Sequence, residues 1–213
     1  MPVSIITNNY SVLAVHSKAG ADSVASLIAL ARANPDKLNY ASAGSGTSPH
    51  LAGELFMSLT GVRLTHVPYK GAGPGFAALL GGEVDMMFVD VYIALPHVRA
   101  GKLRALALSG GRRDPLLSGV PVMAEVLPGF EFQVWQGMIA PVGTPAVVVS
   151  RVSAAVAEVV KQPEVAKRLA DTGWRRWGGR RGRRGRGGIE VSRCRPAYGR
   201  FRYRPPPLQE PSR

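Results

Sequence analysis

The stretch that decides the fold is Tyr40-Ala41-Ser42-Ala43-Gly44-Ser45-Gly46-Thr47-Ser48-Pro49-His50-Leu51-Ala52-Gly53-Glu54-Leu55-Phe56. It predicts a short strand at residues 38–41, a loop of small residues and then a helix. Ser48 suits the N-cap of that helix, and Pro49 suits its first turn, where a missing N–H group costs nothing. Apolar residues recur on one face of the helix, at Leu51, Ala52, Leu55, Phe56 and Leu59. This strand-loop-helix unit is typical of an α/β protein.

The small-residue loop is also a candidate pocket for an anion. Glycines let the backbone approach a ligand, and free N–H groups at the positive end of a helix dipole favour negative charge. A simple connection remains the alternative, because Gly and Ser are common in such turns. Two nucleotide sites are excluded. No Gly-Lys-Ser/Thr follows Gly46, and Pro49 stands where a dinucleotide fingerprint starting at Gly44 needs glycine.

Strands and helices alternate over the first half of the chain. Strands are predicted to begin near residues 12, 38, 64, 84 and 103, each separated by a helix, which predicts a mostly parallel sheet covered on both faces. Ligands of such sheets bind at the carboxyl ends of the strands. Two Gly-rich turns, 42–48 and 69–73, fall at that edge. Asp90 falls there too, either as a ligand group or as a helix cap, and we favour the cap.

The alternation stops after residue 110. A single strand at residues 132–140 is followed by a helix that Thr144 is predicted to cap and by another that begins at Pro163. One strand is too little to cover these helices, so we expect their apolar faces to be exposed. We therefore predict a complete α/β lobe at residues 12–109. Residues 1–11 and 110–174 would be parts of a second, incomplete lobe.

The basic charge of the chain is concentrated in its last segment. The 213 residues have a formal net charge of +13, but 13 Arg and 2 Glu lie from residue 175 onward, which leaves +2 for the first 174 residues. Charge therefore gives no reason to expect nucleic-acid binding by the body of the protein. Residues 175–213 are rich in Arg, Gly and Pro and are predicted to be disordered. Non-specific nucleic-acid binding by this tail is the alternative function.

The sequence contains no constellation typical of an enzyme or a metal site. Cys194 is the single cysteine, so neither an internal disulfide nor a cysteine-based zinc cluster is expected. His50, His66 and His97 lack metal-ligand spacing and are predicted to be structural hydrogen bonders. No Gly-x-Ser-x-Gly nucleophile elbow occurs. We therefore predict that the chain is not an enzyme and uses no cofactor or metal.

Six segments have an order and a spacing that are typical of one family. They are residues 38–44, 50–56, 66–71, 80–88, 95–107 and 140–145. Together they resemble the Bug (Bordetella uptake gene) family, the solute receptors of tripartite tricarboxylate transporters, over roughly residues 2–173. The resemblance implies a two-domain fold of the periplasmic binding protein type II class. It also implies a receptor that closes on a small di- or tricarboxylate and delivers it to membrane transporter subunits.

The resemblance further implies which residues contact the ligand. In that family, backbone N–H groups and water molecules from two loops hold the carboxylate. One of these loops corresponds here to Ser42, Ala43, Gly44, Ser45, Gly46, Thr47 and Ser48. Tyr69, Lys70, Gly71 and Asp90 complete the predicted set, with Lys70 either attracting the anion or simply solvated. The family often has aspartate where Val89 stands, which argues against a ligand role for Asp90.

Parts of the family pattern have no counterpart in this sequence. These are the second carboxylate loop, the signal peptide with a large N-terminal segment, and the C-terminal helix. We expect a truncated and frameshifted product of a longer receptor gene, because Arg, Gly and Pro have GC-rich codons. Such a product would bind its acid poorly, because half of the structure that closes on the ligand is absent. The resemblance implies a periplasmic location. The sequence has neither a signal peptide nor a membrane span, which leaves a cytoplasmic location open.

Overall fold

The computed structural model describes residues 1–111, 113–171 and 175–176, and the statements below refer to these residues. The rest of the predicted disordered tail, from residue 177 onward, lies outside them. In chain order the elements are β1 (Pro2–Asn9), β2 (Ser11–His16), α1 (Val24–Ala33), β3 (Asn39–Ser42), α2 (Ser48–Thr60), β4 (Thr65–Pro68), α3 (Ala72–Gly81), β5 (Met86–Asp90), α4 (Val91–Arg99), β6 (Leu103–Leu108), a 3-10 turn (Pro115–Leu117), α5 (Met123–Val126), β7 (Val134–Ile139), α6 (Ala146–Val159), α7 (Pro163–Asp171) and β8 (Arg175–Arg176).

The larger sheet has five strands in the order β4-β3-β5-β2-β6. β3 is parallel to β4 and β5, whereas β2 is antiparallel to both of its neighbours, β5 and β6. The predicted mostly parallel sheet is therefore confirmed for four strands and wrong for β2. Alternation along the chain could not reveal this direction, because β2 lies between β5 and β6 and not beside β3, the strand to which α1 connects it.

Helices cover both faces of this sheet, as predicted. One core cluster joins α1 and α2 to the sheet through fully buried side chains such as Leu27 and Phe56. The other joins α3 and α4 through Leu79 and Ala94. The strand side chains alternate between the two clusters, with Leu13 in the first and Val12 in the second. This alternation is the period-two geometry expected for a sheet buried on both faces.

The smaller sheet has the order β7-β1-β8. β1 pairs antiparallel with β7, and its residues Thr7 and Asn8 also face Arg176 and Arg175. The sequence predicted a single strand for this region and placed Arg175 and Arg176 in the disordered tail, so β1 and β8 are both additions. The segment Pro2–Asn9 does not alternate between apolar and polar residues, so its sequence carries no strand signal. Its hydrogen bonds to β7 are what make it a strand.

Helix α6 lies against β1 with no fully buried side chain. Val147 is 70% exposed, and Val142, in the preceding turn, is 94% exposed. The predicted exposure of apolar faces in this region is therefore confirmed.

Two of the predicted helix caps are wrong. Ser48 does not cap α2: it is the first helical residue, and Thr47 holds the N-cap position without a side-chain cap. Thr144 does not cap α6, because its hydroxyl donates to the Pro141 carbonyl at 2.9 Å. By contrast, Ser23 caps α1 by accepting a hydrogen bond from the Ser26 amide at 3.1 Å.

Gly53 allows α2 to lie very close to β3. A Cβ atom at position 53 would come within 2.5 Å of the Tyr40 ring, which is completely buried. The Tyr40 hydroxyl donates to Glu54 Oε1 on the same helix at 2.7 Å. Because the Tyr40 ring is buried and its hydroxyl is hydrogen-bonded, it cannot easily move to make room for a side chain at position 53.

We expect Gly53→Ala to destabilise the protein by about 1–3 kcal/mol, because the added methyl group overpacks the helix against the Tyr40 ring. Gly73→Ala is the matched control, since position 73 is also helical and a Cβ there meets no atom within 4 Å. Chemical unfolding of both variants measures the effect. Equal stability of the two would contradict the close contact.

Candidate functional site

The two Gly-rich turns predicted to meet at one edge of the sheet are joined by backbone hydrogen bonds. The Tyr69 amide donates to the Ser42 carbonyl at 3.0 Å, and the Gly71 amide donates to the Ala43 carbonyl at 3.3 Å. The first turn, residues 42–48, leads into α2, and the second, residues 69–73, leads into α3. The structure therefore places the predicted residues of both turns side by side.

The first turn leaves several of its amides without an acceptor. The Gly44 carbonyl accepts both the Thr47 amide, at 3.3 Å, and the Thr47 hydroxyl, at 2.6 Å. The Gly44 amide donates to Ser42 Oγ, and the Gly46 amide donates to His50 Nδ1, both at 3.1 Å. Within the described part of the chain, the amides of Ala43, Ser45 and Ser48 donate to no acceptor. The turn therefore offers donors without matching acceptors.

Three aromatic rings are stacked beneath the first turn. Tyr40 of β3 stacks on His66 of β4 with ring centroids 4.8 Å apart, and His66 lies 4.2 Å from His50 of α2. We call Tyr40, His66 and His50 the ring stack. His66 Nε2 lies 2.6 Å from Ser42 Oγ, and His50 Nε2 lies 3.6 Å from Glu54 Oε1. The prediction that His50 and His66 are structural hydrogen bonders is confirmed.

The ring stack shifts the acid-base behaviour of two of its members. Burial, together with the neighbouring His50, lowers the pKa of His66 despite the opposing effect of Glu54. Burial, followed by the hydrogen bond to Glu54, raises the pKa of Tyr40 far above its ordinary value. Both groups are therefore neutral near neutral pH. For His66, burial and the adjacent imidazole of His50 disfavour a positive charge on the ring.

Asp90 stands at the N-cap position of α4, but its side chain does not cap the helix. Instead, Asp90 Oδ1 accepts a hydrogen bond from Asn9 Nδ2 at 3.0 Å, while Asn9 Oδ1 accepts the Tyr10 amide at 2.8 Å. The predicted cap is therefore wrong, because Asn9, the last residue of β1, donates to the carboxylate instead. Burial raises the pKa of Asp90.

Two segments connect the smaller sheet to the larger one. The first passes from β1 to β2 through Tyr10, and the second leaves β6 at Ser109. Ser11 and Ser109 exchange two hydrogen bonds, of 2.8 and 2.9 Å, and the Tyr10 hydroxyl donates to Asp114 at 2.7 Å. None of these residues was predicted from the sequence. Polar residues directly flanking apolar strands, such as Asn9 before β2 and Ser109 after β6, were the signal that could have revealed them.

The remaining predicted residues lie at the rim of the joined turns. Ser45, Gly46 and Lys70 are exposed, whereas Ser42 is completely buried and so supports the turn from below. The described residues contain no group of three or more His, Cys, Asp or Glu side chains placed to hold a metal ion. In the same part of the chain, no helix has the length and apolar character required to cross a bilayer.

Comparison with known proteins identifies the family. The sequence profile described as "Tripartite tricarboxylate transporter family receptor" matches residues 1–182. A UPF0065 protein from the tcbD-tcbE intergenic region of Pseudomonas sp. strain P51 is 40% identical over 181 residues, which cover 84% of this chain and 54% of that protein. The chain belongs to the family of tripartite tricarboxylate transporter receptors, as its sequence motifs indicated.

Two solved structures from Rhodopseudomonas palustris show the same fold. Rpa4515 with adipate is 35% identical, with a TM-score of 0.75 and coverage of 84% of this chain and 60% of that one. MatC (Rpa3494) with bound malate is 34% identical, with a TM-score of 0.74 and coverage of 81% and 59%. The predicted periplasmic binding protein type II fold is therefore confirmed. This chain spans little more than half the length of these relatives.

We expect the melting temperature to fall as the pH drops below about 6.5, the ordinary imidazole value. The lowered pKa of folded His66 means that the unfolded chain takes up a proton that the folded chain resists, so stability is lost in that direction. His66→Phe keeps a ring between Tyr40 and His50 but cannot be protonated, so its melting temperature should fall less steeply. Thermal unfolding across this pH range measures both slopes, and identical slopes would contradict the assignment.

Proposed function

We propose that this chain is the ligand-binding part of a solute receptor for a small organic acid with two or more carboxylate groups. The observation that carries the proposal is the set of amides at Ala43, Ser45 and Ser48, beside the start of α2, that have no acceptor among the described residues. Backbone N–H groups at a helix N-terminus are well suited to bind a carboxylate. Membership of a receptor family supports the proposal, as do structural relatives with adipate and malate.

The residues of the two turns would have different roles in binding. The free amides of the first turn would donate to one ligand carboxylate, while Gly44, Gly46 and Thr47 hold the shape of the turn through their internal hydrogen bonds. Tyr69 and Gly71 would form the adjacent wall, and exposed Lys70 would supply attractive charge. Asp90 acts instead on the connection to the smaller sheet, through Asn9.

The lobe boundaries predicted from the sequence form part of the same proposal. Residues 12–109 would be one lobe, which carries both turns, and residues 1–11 and 110–174 would contribute to the other. The connections at Tyr10 and Ser109 would then act as the hinge between them. Ser11 and Ser109 support this assignment, because their paired hydrogen bonds tie the two connecting segments together.

The family description supports a role in the uptake of an organic acid. A receptor of a tripartite tricarboxylate transporter would bind its acid in the periplasm and pass it to membrane subunits, with no catalytic step and no cofactor. The alternative of nucleic-acid binding receives no support from the comparisons, and most of the basic tail on which it rests lies outside the described residues.

Calorimetry with matched six-carbon ligands tests the proposal. We expect adipate, and the four-carbon acid malate, to bind the full chain. Hexanoate, which has six carbons like adipate but one carboxylate fewer, should bind at least about tenfold more weakly, because it lacks the second negative charge that exposed Lys70 would attract. Absence of binding by every di- and tricarboxylate offered would refute the proposal.

A glycine pair provides the control at residue level. Gly44 has φ +122°, a conformation that residues with a Cβ rarely adopt, so Gly44→Ala should distort the first turn and weaken binding by about tenfold or more. Gly20, with φ +76°, is remote from the turns, and no atom lies within 4 Å of the position that a Cβ would take there. Gly20→Ala should therefore cost stability but not affinity. Equal affinities of the two variants would contradict the assigned site.

A further inference from the structure

The ring stack contains a hydrogen-bond acceptor aimed at the turn itself. His50 lies in the first turn of α2, and its Nδ1 atom accepts the Gly46 amide at 3.1 Å. Gly46 is exposed and has φ +79°, and nothing else in the described chain holds its amide. The neighbouring Ser45 and Ser48 carry two of the three amides that lack an acceptor there. Besides the bonds of Thr47 to the Gly44 carbonyl, the position of those donors therefore depends on this imidazole nitrogen.

Neighbouring rings orient that imidazole. The His66 ring lies against it, with ring centroids 4.2 Å apart and the rings tilted by 32°, and is in turn backed by Tyr40. Glu54, one helical turn along α2, accepts the Tyr40 hydroxyl and lies 3.6 Å from His50 Nε2, beyond hydrogen-bond distance. The ring contact therefore orients the imidazole, with Nδ1 toward the turn.

We infer that His50 is a positioning residue of the proposed anion site, which sets the shape of the 42–48 turn by accepting the Gly46 amide at Nδ1. This inference rests on the proposed function. A protonated Nδ1 is a donor, so it cannot accept the Gly46 amide and repels it instead. The competent turn therefore requires an imidazole with a free lone pair on Nδ1.

The groups that face His50 contact its ring and its Nε2 side but leave Nδ1 to the turn. From α2 the charged neighbour is Glu54, near Nε2, and from β4 it is His66, which lies against the ring. From β3 it is Tyr40, behind His66, whose hydroxyl is engaged by Glu54. The Gly46 amide is the donor that reaches Nδ1 in the described part of the chain.

Two variants separate the acceptor from the ring. Asn carries its side-chain oxygen on Cγ, where His carries Nδ1, so His50→Asn can still accept the Gly46 amide. His50→Phe retains stacking on His66 but has no acceptor. Gly46 amide exchange in the full chain without ligand, followed by NMR, should be slow in wild type and His50→Asn. It should be about tenfold faster in His50→Phe.

Calorimetry with adipate and malate gives the functional readout. We expect His50→Asn to bind within about twofold of wild type, because its side-chain oxygen can still accept the Gly46 amide. His50→Phe should bind about tenfold more weakly than wild type, because it offers no acceptor.

The possible outcomes distinguish this inference from the proposed function. If wild type binds these acids and His50→Phe matches its affinity, the positioning role is wrong while the receptor function stands. If wild type binds no di- or tricarboxylate, the proposed function fails. In that case unchanged Gly46 exchange in His50→Phe would separately overturn the positioning role.

Discussion

The close approach of helix α2 to the ring of Tyr40 is the constraint on which the site depends. Gly53 provides the space, because any Cβ there would overlap the ring. The hydroxyl of the same ring is held by Glu54, and its face is covered by His66. The helix, the strand β3 and the strand β4 are thus locked around one side chain. Both ends of the turn between β3 and α2 are therefore fixed.

The chemistry of that turn follows from backbone amides that have no acceptor in the described chain. The carbonyls of Ser42, Ala43 and Gly44 are all consumed, the first two by the second turn and the third by Thr47. Amides without an acceptor in the described chain remain at Ala43, Ser45 and Ser48. Unsatisfied donors beside a helix N-terminus produce a positive potential without a charged side chain. Such a surface favours carboxylates and requires no metal ion.

Polar side chains tie the segments that connect the two sheets. Asn9 reaches Asp90 at the end of β5, and Tyr10 reaches Asp114 in the segment after β6, so the first connection is hydrogen-bonded to the larger sheet and to the second connection. The second connection also packs Met123 and Phe130 into the core of the larger sheet. Directional hydrogen bonds at Tyr10 suit a segment proposed to act as a hinge.

Features set by local sequence were predictable, and those decided by competition between distant groups were not. The helices, the strands of the larger sheet and the two Gly-rich turns could be read from periodicity and turn residues, and the motifs identified the family. The direction of β2, the existence of β1 as a strand and the failed caps at Ser48, Thr144 and Asp90 depended on partners far along the chain. The ring stack was hidden for the same reason. His50 and His66 lie on a helix and a strand whose spacing along the sequence says nothing about ring contact, and only packing around Tyr40 brings them together.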